Sequence, residues 1–111
     1  MAHTTHIEEP WISFIFSGKK KYECRAFDRE RLNYKIGDSI GIVNKKHKRV
    51  EFVITELIRA RSFLELFEKI GLENTLPGVE TVEEGVQIYR QWVSEERERQ
   101  FGVVAIGLCL K

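Results

Sequence analysis

The chain has no apolar run approaching the ~20 residues that cross a bilayer. Its N-terminus also lacks the basic start and apolar stretch of a secretory signal. Both absences point to a cytoplasmic protein without a membrane segment. Cysteine is scarce: Cys24 and Cys109 stand alone in apolar strand patterns, without the paired spacing of a zinc site. Both are expected to be reduced core residues. His3 and His6 are three apart, but no helical pattern has begun there, and a transition metal needs three or four converging ligands. No metal and no cofactor is therefore expected. Nor is there a helix-turn-helix pattern of the kind that seats a recognition helix on duplex DNA.

What is present suits one domain, residues 1–111, with material for a single core. The net charge of +1 conceals an asymmetry. Residues 1–61 hold 13 Lys and Arg against 8 Asp and Glu, while residues 62–111 hold 5 against 9. The basic residues cluster at Lys19–Lys21 with Arg25, at Lys45–Arg49, and at Arg59 with Arg61. Such clusters either attract phosphate or form solvated rims and hairpin tips.

The organising stretch is Pro10–Phe27. Pro10 suits the first position of a helix, where a missing N–H costs nothing, and Glu8 and Glu9 favour the positive end of its dipole. Trp11, Phe14 and Ile15 recur at helical spacing and predict a mostly buried face, with Ile12 and Phe16 beside it. Gly18 can adopt the left-handed conformation that stops the helix. Beyond it the period becomes two. Tyr22, Cys24 and Ala26 face one side of a strand, and Lys21, Glu23 and Arg25 the other, a polar surface or cleft wall.

Before this stretch, residues 4–7 can form a short strand. After it, Asp28–Asp38 reads as a charged loop, and strands over Ser39–Asn44 and Val50–Ile58 make an antiparallel hairpin with the basic segment Lys45–Arg49 at its tip. Ser62 with Glu65 forms a capping box for a helix whose apolar face is Phe63, Leu66, Phe67 and Ile70, and Gly71 ends it. Turns follow to Glu80. Thr81 with Glu84 repeats the box for a third helix burying Val82, Val86, Tyr89 and Val93, and Ser94–Gln100 either extends it or starts anew. Val103–Leu110 reads as a central strand buried on both faces. The order is α+β.

The run Gly18, Lys20, Tyr22, Glu23, Arg25 resembles the signature of the ASCH domain family: glycine, any residue, lysine, any residue, apolar, glutamate, any residue, arginine. The resemblance continues through Lys35-Ile36-Gly37-Asp38, Leu76-Pro77-Gly78-Val79 with Glu83, Glu84 and Tyr89, and Gly102–Ile106. It implies a PUA-like fold, a small β-barrel with flanking α-helices, and a cleft that takes RNA or a nucleoside. A bacterial branch of the family deacetylates N4-acetylcytidine, and its catalytic lysine falls on Lys20. That branch carries threonine where this chain has Glu23, an anion that tends to keep Lys20 protonated. Its catalytic glutamate has Glu73 as the nearest counterpart.

Three functions follow as expectations. The first is an RNA- or modified-nucleoside-binding domain whose basic cleft uses Lys20, Glu23, Arg25 and the rim residues Arg59 and Arg61, with Trp11 or Tyr22 able to join if exposed. The second is a small amidohydrolase using Lys20, Glu23 and Glu73. The third is a protein-interaction scaffold built on an acidic helix from Glu83 to Glu98. Without the resemblance, Lys20 reads as one solvated lysine of three, and Glu23 with Arg25, roughly 6–7 Å apart on one strand face, reads equally as a salt bridge that holds the strand's polar side together.

Overall fold

A computed structural model describes residues 2–46 and 49–111. His47 and Lys48, in the basic segment expected at the hairpin tip, lie outside the described residues. The elements in order are β1 (Ala2–His6), α1 (Trp11–Phe16), β2 (Tyr22–Ala26), β3 (Ser39–Val43), β4 (Val50–Ala60), α2 (Phe63–Ile70), a 3-10 turn (Leu72–Asn74), α3 (Val82–Tyr89), α4 (Glu95–Phe101) and β5 (Val103–Leu110).

The strands form one sheet in the order β1-β3-β4-β5-β2, curled into a half-barrel. β1 runs parallel to β3, and the other pairs are antiparallel. β5 lies between β4 and β2, and its side chains alternate between two cores. Val103 and Ala105 join Phe63, Leu66, Phe67 and Tyr89 on the face covered by α2 and α3. Val104 and Ile106 join Ile12, Ile15, Ile40, Ile42, Phe52 and Ile54 inside the curl. This two-sided burial explains the strand's unbroken apolar run, but it stops at Gly107, the last residue of β5 paired with β2. Cys109, beyond that point, is exposed and not the core residue expected, whereas Cys24 is buried.

In β4 the ladder shifts register between Ile54 and Glu56. The extra residue of a bulge reverses side-chain parity. Leu57 therefore continues the Phe52–Ile54 face, while Ile58 turns to the helices.

Helix ends follow their local chemistry. The hydroxyl of Ser62 accepts the Glu65 N–H at 3.1 Å, although the Glu65 carboxylate returns to the N–H of Arg61 and not to that of Ser62. Thr81 caps α3 in the same way. Of the two courses open to Ser94–Gln100, the chain starts anew: Ser94 takes an extended conformation and its hydroxyl accepts the Arg97 N–H, starting α4, so the acidic stretch from Glu83 to Glu98 spans two helices. In α1, Pro10 stands at the N-cap and not inside the helix. The buried residues are Ile12 and Ile15, whereas Trp11 and Phe14 are half-buried. A helix of under two turns covers the end of the curl with one edge only, which leaves Trp11 on a wall of the recess described next.

Candidate nucleoside-recognition recess

Gly18, at φ 83°, turns the chain after α1, and the Lys20 N–H closes the turn on the Phe14 carbonyl at 3.0 Å. β2 begins only at Tyr22, so Lys20 escapes the strand's alternation and its side chain runs inward. It is 2% exposed.

Lys20 Nζ donates to the Thr75 carbonyl and, at 3.2 Å, to the Tyr89 hydroxyl, and it lies 3.4 Å from Glu23 Oε1. An ammonium has three N–H donors; all three are committed. Glu23, 4% exposed, accepts from its neighbour's backbone (the Cys24 N–H, 2.8 Å) and from Tyr89 Oη (2.9 Å), and pairs with Arg25 Nη1 at 3.0 Å. Arg25 also donates to the Cys24 carbonyl and, across the gap between the two sheet edges, to the His6 carbonyl at 2.8 Å.

The carboxylate only accepts, so Tyr89 spends its one proton on Glu23. Thr75 must then donate in the 2.8 Å contact between the two hydroxyls, and the Cys24 thiol donates to Thr75 Oγ1 at 3.3 Å. Tyr89 is fixed from behind by the Phe63 ring, stacked at 4.9 Å.

Burial alone would raise the Glu23 carboxyl. Arg25 and then Lys20, with the Cys24 N–H and the Tyr89 hydroxyl, outweigh that and hold it below the ordinary carboxylate range. Burial, with Glu23 beside it, pushes the Tyr89 phenol well up, and burial pushes the Cys24 thiol up to about 11.

These groups floor a narrow recess walled by Trp11, Trp92, Leu76, His6 and Glu8. Its volume is about 30 Å³, room for a water or two and far below the roughly 300 Å³ of a small-molecule pocket. Lys20 and Arg25 face Glu8 and Glu23, so the lining is balanced in formal charge and not basic as expected. Trp92 is 44% exposed, with the Arg25 guanidinium 5.8 Å from its ring centre.

The structure thus brings Lys20, Glu23 and Arg25 together but not the other sequence candidates. Glu73 is exposed on the 3-10 turn, and Thr75 is the residue of that segment that reaches Lys20. Arg59 and Arg61 line a separate groove with Glu65, Arg99 and Phe101. Tyr22 points elsewhere, its hydroxyl donating to Glu56. Sequence reasoning took Tyr89 for plain core and missed Thr75 and Trp92. A signal existed for the tyrosine: a buried phenol needs a polar partner, as a buried glutamate needs donors. Trp92 carried none.

Among the described residues no group of three His, Cys, Asp or Glu is placed to hold a metal. His3 pairs with Asp38 and His6 with Glu8, in separate places. Among the described residues no helix is long and apolar enough to cross a membrane.

The sequence model of the ASCH domain matches residues 6–110. No functionally curated protein matches the chain. Among solved structures, the crystal structure of hypothetical protein PH0355 is 40% identical, covers 100% of both chains and superposes with a TM-score of 0.90. The solution structure of protein PF0455 from Pyrococcus furiosus is 39% identical, covering 97% of this chain and 96% of that one, with a TM-score of 0.79. The ASCH domain from Lactobacillus crispatus shares the fold at 15% identity and a TM-score of 0.69, covering 98% of this chain and 79% of that one.

Proposed function

We propose that this chain, which belongs to the ASCH domain family, binds single-stranded RNA or a modified nucleoside by holding one base at the mouth of the Lys20–Glu23–Arg25 recess. The observation that carries the reading is a buried polar floor, with Lys20 fully bonded and Arg25 keeping donors to spare, beneath a half-exposed tryptophan. The floor is water-sized, so the base stacks on Trp92 and only its edge enters. Arg25 meets that edge: its Nε and one Nη2 hydrogen have no acceptor among the described residues. Balanced charge at the recess suits a neutral, polar base better than a phosphate. Single strands fit because unstacked bases offer both a face and an edge.

Hydrolysis of an acylated nucleoside has less support. Lys20 has no uncommitted hydrogen-bonding position, Glu23 is held ionised beside it, and Glu73 lies outside the recess.

The test is titration of short RNAs and modified nucleosides, followed by fluorescence or calorimetry. Trp92→Ala is expected to weaken binding about 5- to 150-fold, corresponding to the ~1–3 kcal/mol of one base–aromatic stack. Affinity indifferent to Trp92→Ala and Arg25→Ala would sink the reading. Cytidine released from N4-acetylcytidine above a Lys20→Ala control would replace it with hydrolysis.

A further inference from the structure

The nine arginines divide sharply by their partners. Arg25, Arg31, Arg90 and Arg97 meet a carboxylate at 3.0, 3.2, 2.7 and 2.6 Å, and Arg49 is bonded to Glu51. Arg61 and Arg99 approach one only at 3.9 and 4.0 Å, with their side chains 95% and 72% exposed. Arg29 and Arg59 have no carboxylate within 4.0 Å among the described residues. These four come from different elements, yet all stand around the Gln100–Phe101 end of α4, in two adjoining grooves that share those two residues as a wall. The larger groove has a volume of about 630 Å³ and sets Arg59, Arg61 and Arg99 against Glu65 alone. Aromatic rings lie among the cations: the Arg59 guanidinium is 4.0 Å from the centre of the Phe27 ring, and Phe101 lines both grooves.

This surface is continuous with the recess. A third groove shares His6, Arg25 and Trp92 with the recess, and Asp28, Glu30 and Arg97 with the Arg29 groove. The sheet register explains the proximity. Arg25 on β2 and Arg59 on β4 both sit opposite Val104 of β5, so their backbones are two strand spacings apart, about 10 Å.

We propose that these hollows form one track for a single-stranded RNA, whose phosphodiester backbone lies on Arg29, Arg59, Arg61 and Arg99 while one base reaches the recess. This rests on the reading of the recess given above, decides for the RNA strand, and extends the contact from one base to the backbone on either side of it. Cations without close carboxylates gain most from a phosphate, since the only ion pairs to be given up, Arg61–Glu65 and Arg99–Glu95, are long and exposed. Rings interleaved with them suit an unpaired strand more than a duplex.

The test compares wild type, Arg59→Gln/Arg61→Gln/Arg99→Gln and Trp92→Ala for binding of a labelled RNA of about twelve nucleotides across a salt series, alongside binding of a mononucleoside. For single strands each phosphate contact contributes about 0.7 to the slope of log affinity against log salt. The triple variant is therefore expected to flatten that slope by about 2 while keeping mononucleoside binding, which also reports that it is folded. Trp92→Ala is expected to lose affinity for both ligands at an unchanged slope. An unchanged slope in the triple variant, or RNA bound no tighter than the mononucleoside, overturns the track and leaves the recess standing. If wild type binds neither ligand, the recess reading fails and the track fails with it.

Discussion

Two arginine-bearing regions look alike in the sequence and are opposites in the structure. Around Lys20 and Arg25 the lysine is buried and the arginine nearly so, and acceptors meet every proton of the lysine. Around Arg59, Arg61 and Arg99 they are exposed and hold carboxylates no closer than 3.9 Å. Charge in the first region is spent on structure, shaping a rigid and nearly neutral floor that can discriminate by fit. In the second it is available to solvent and to polyanions, where it supplies attraction with little selectivity. A count of lysines and arginines treats the two as one basic cleft. Their partners separate them.

The largest expected effect breaks the buried side. Glu23→Gln leaves Lys20 and Arg25 inside the protein without their counter-charge, and losing one partner of a buried ion cluster costs about 3–5 kcal/mol. Arg61→Gln, at the exposed region, is expected to stay within about 0.5 kcal/mol of wild type. Urea denaturation of both variants measures the difference directly. A Glu23→Gln cost below about 1 kcal/mol would mean that water already screens the cluster, and the contrast between the regions would dissolve.

How far this contrast could be read in advance depends on which bonds are local. The Ser62 and Thr81 caps, the Gly18 turn and the two-faced β5 are written in residues a few positions apart or in one continuous apolar run, and the structure has them all. Lys20 was legible only in part: it stands ahead of the strand alternation, yet the residues around it read as a solvated lysine run, and its inward course depends on distant partners. The bulge at Thr55 was not legible, since no glycine or proline within β4 marks it and Gly107, which faces it, is tied to it only by the pairing of β4 with β5. Likewise Thr75 and Tyr89 join Lys20 across 55 and 69 positions of sequence. Arg59 stands in the groove beside the recess for a similar reason: its guanidinium packs on the Phe27 ring, a contact between residues far apart in sequence.

A smaller effect sharpens the comparison through pH. The Glu23 carboxyl is held below its ordinary range in the folded protein. Its stabilisation is therefore present above the unfolded value of about 4.3 and is lost as pH falls through the lower folded value. Wild type is expected to lose urea stability between pH 5 and pH 3, in units where each unit of depression is worth about 1.4 kcal/mol. Glu23→Gln, having no such carboxyl, should lose less over the same interval. Arg61→Gln should follow wild type, because arginine does not titrate there. Parallel curves for all three proteins would show that other carboxylates carry the acid response.

The smallest effect probes whether the floor of the recess is sealed from behind. Cys24 Sγ closes the chain of hydroxyls through Thr75 and Tyr89 to Glu23, and its thiol is pushed up to about 11 by burial, whereas Cys109 is exposed. The thiolate is the reactive species, so iodoacetamide at pH 8 should modify Cys109 and leave Cys24 intact, giving one adduct per folded chain by mass spectrometry and two after denaturation. The linkage runs opposite to that of Glu23. A thiol whose folded pKa is raised stabilises fully below its unfolded value near 8.5 and loses that contribution as pH climbs through about 11. Cys24 should therefore become reactive only where the fold itself loosens. If instead both thiols react at comparable rates at pH 8, solvent reaches the back of the cluster, Lys20 and Glu23 exchange partners with water, and the region read as rigid becomes as adaptable as the arginine groove beside it.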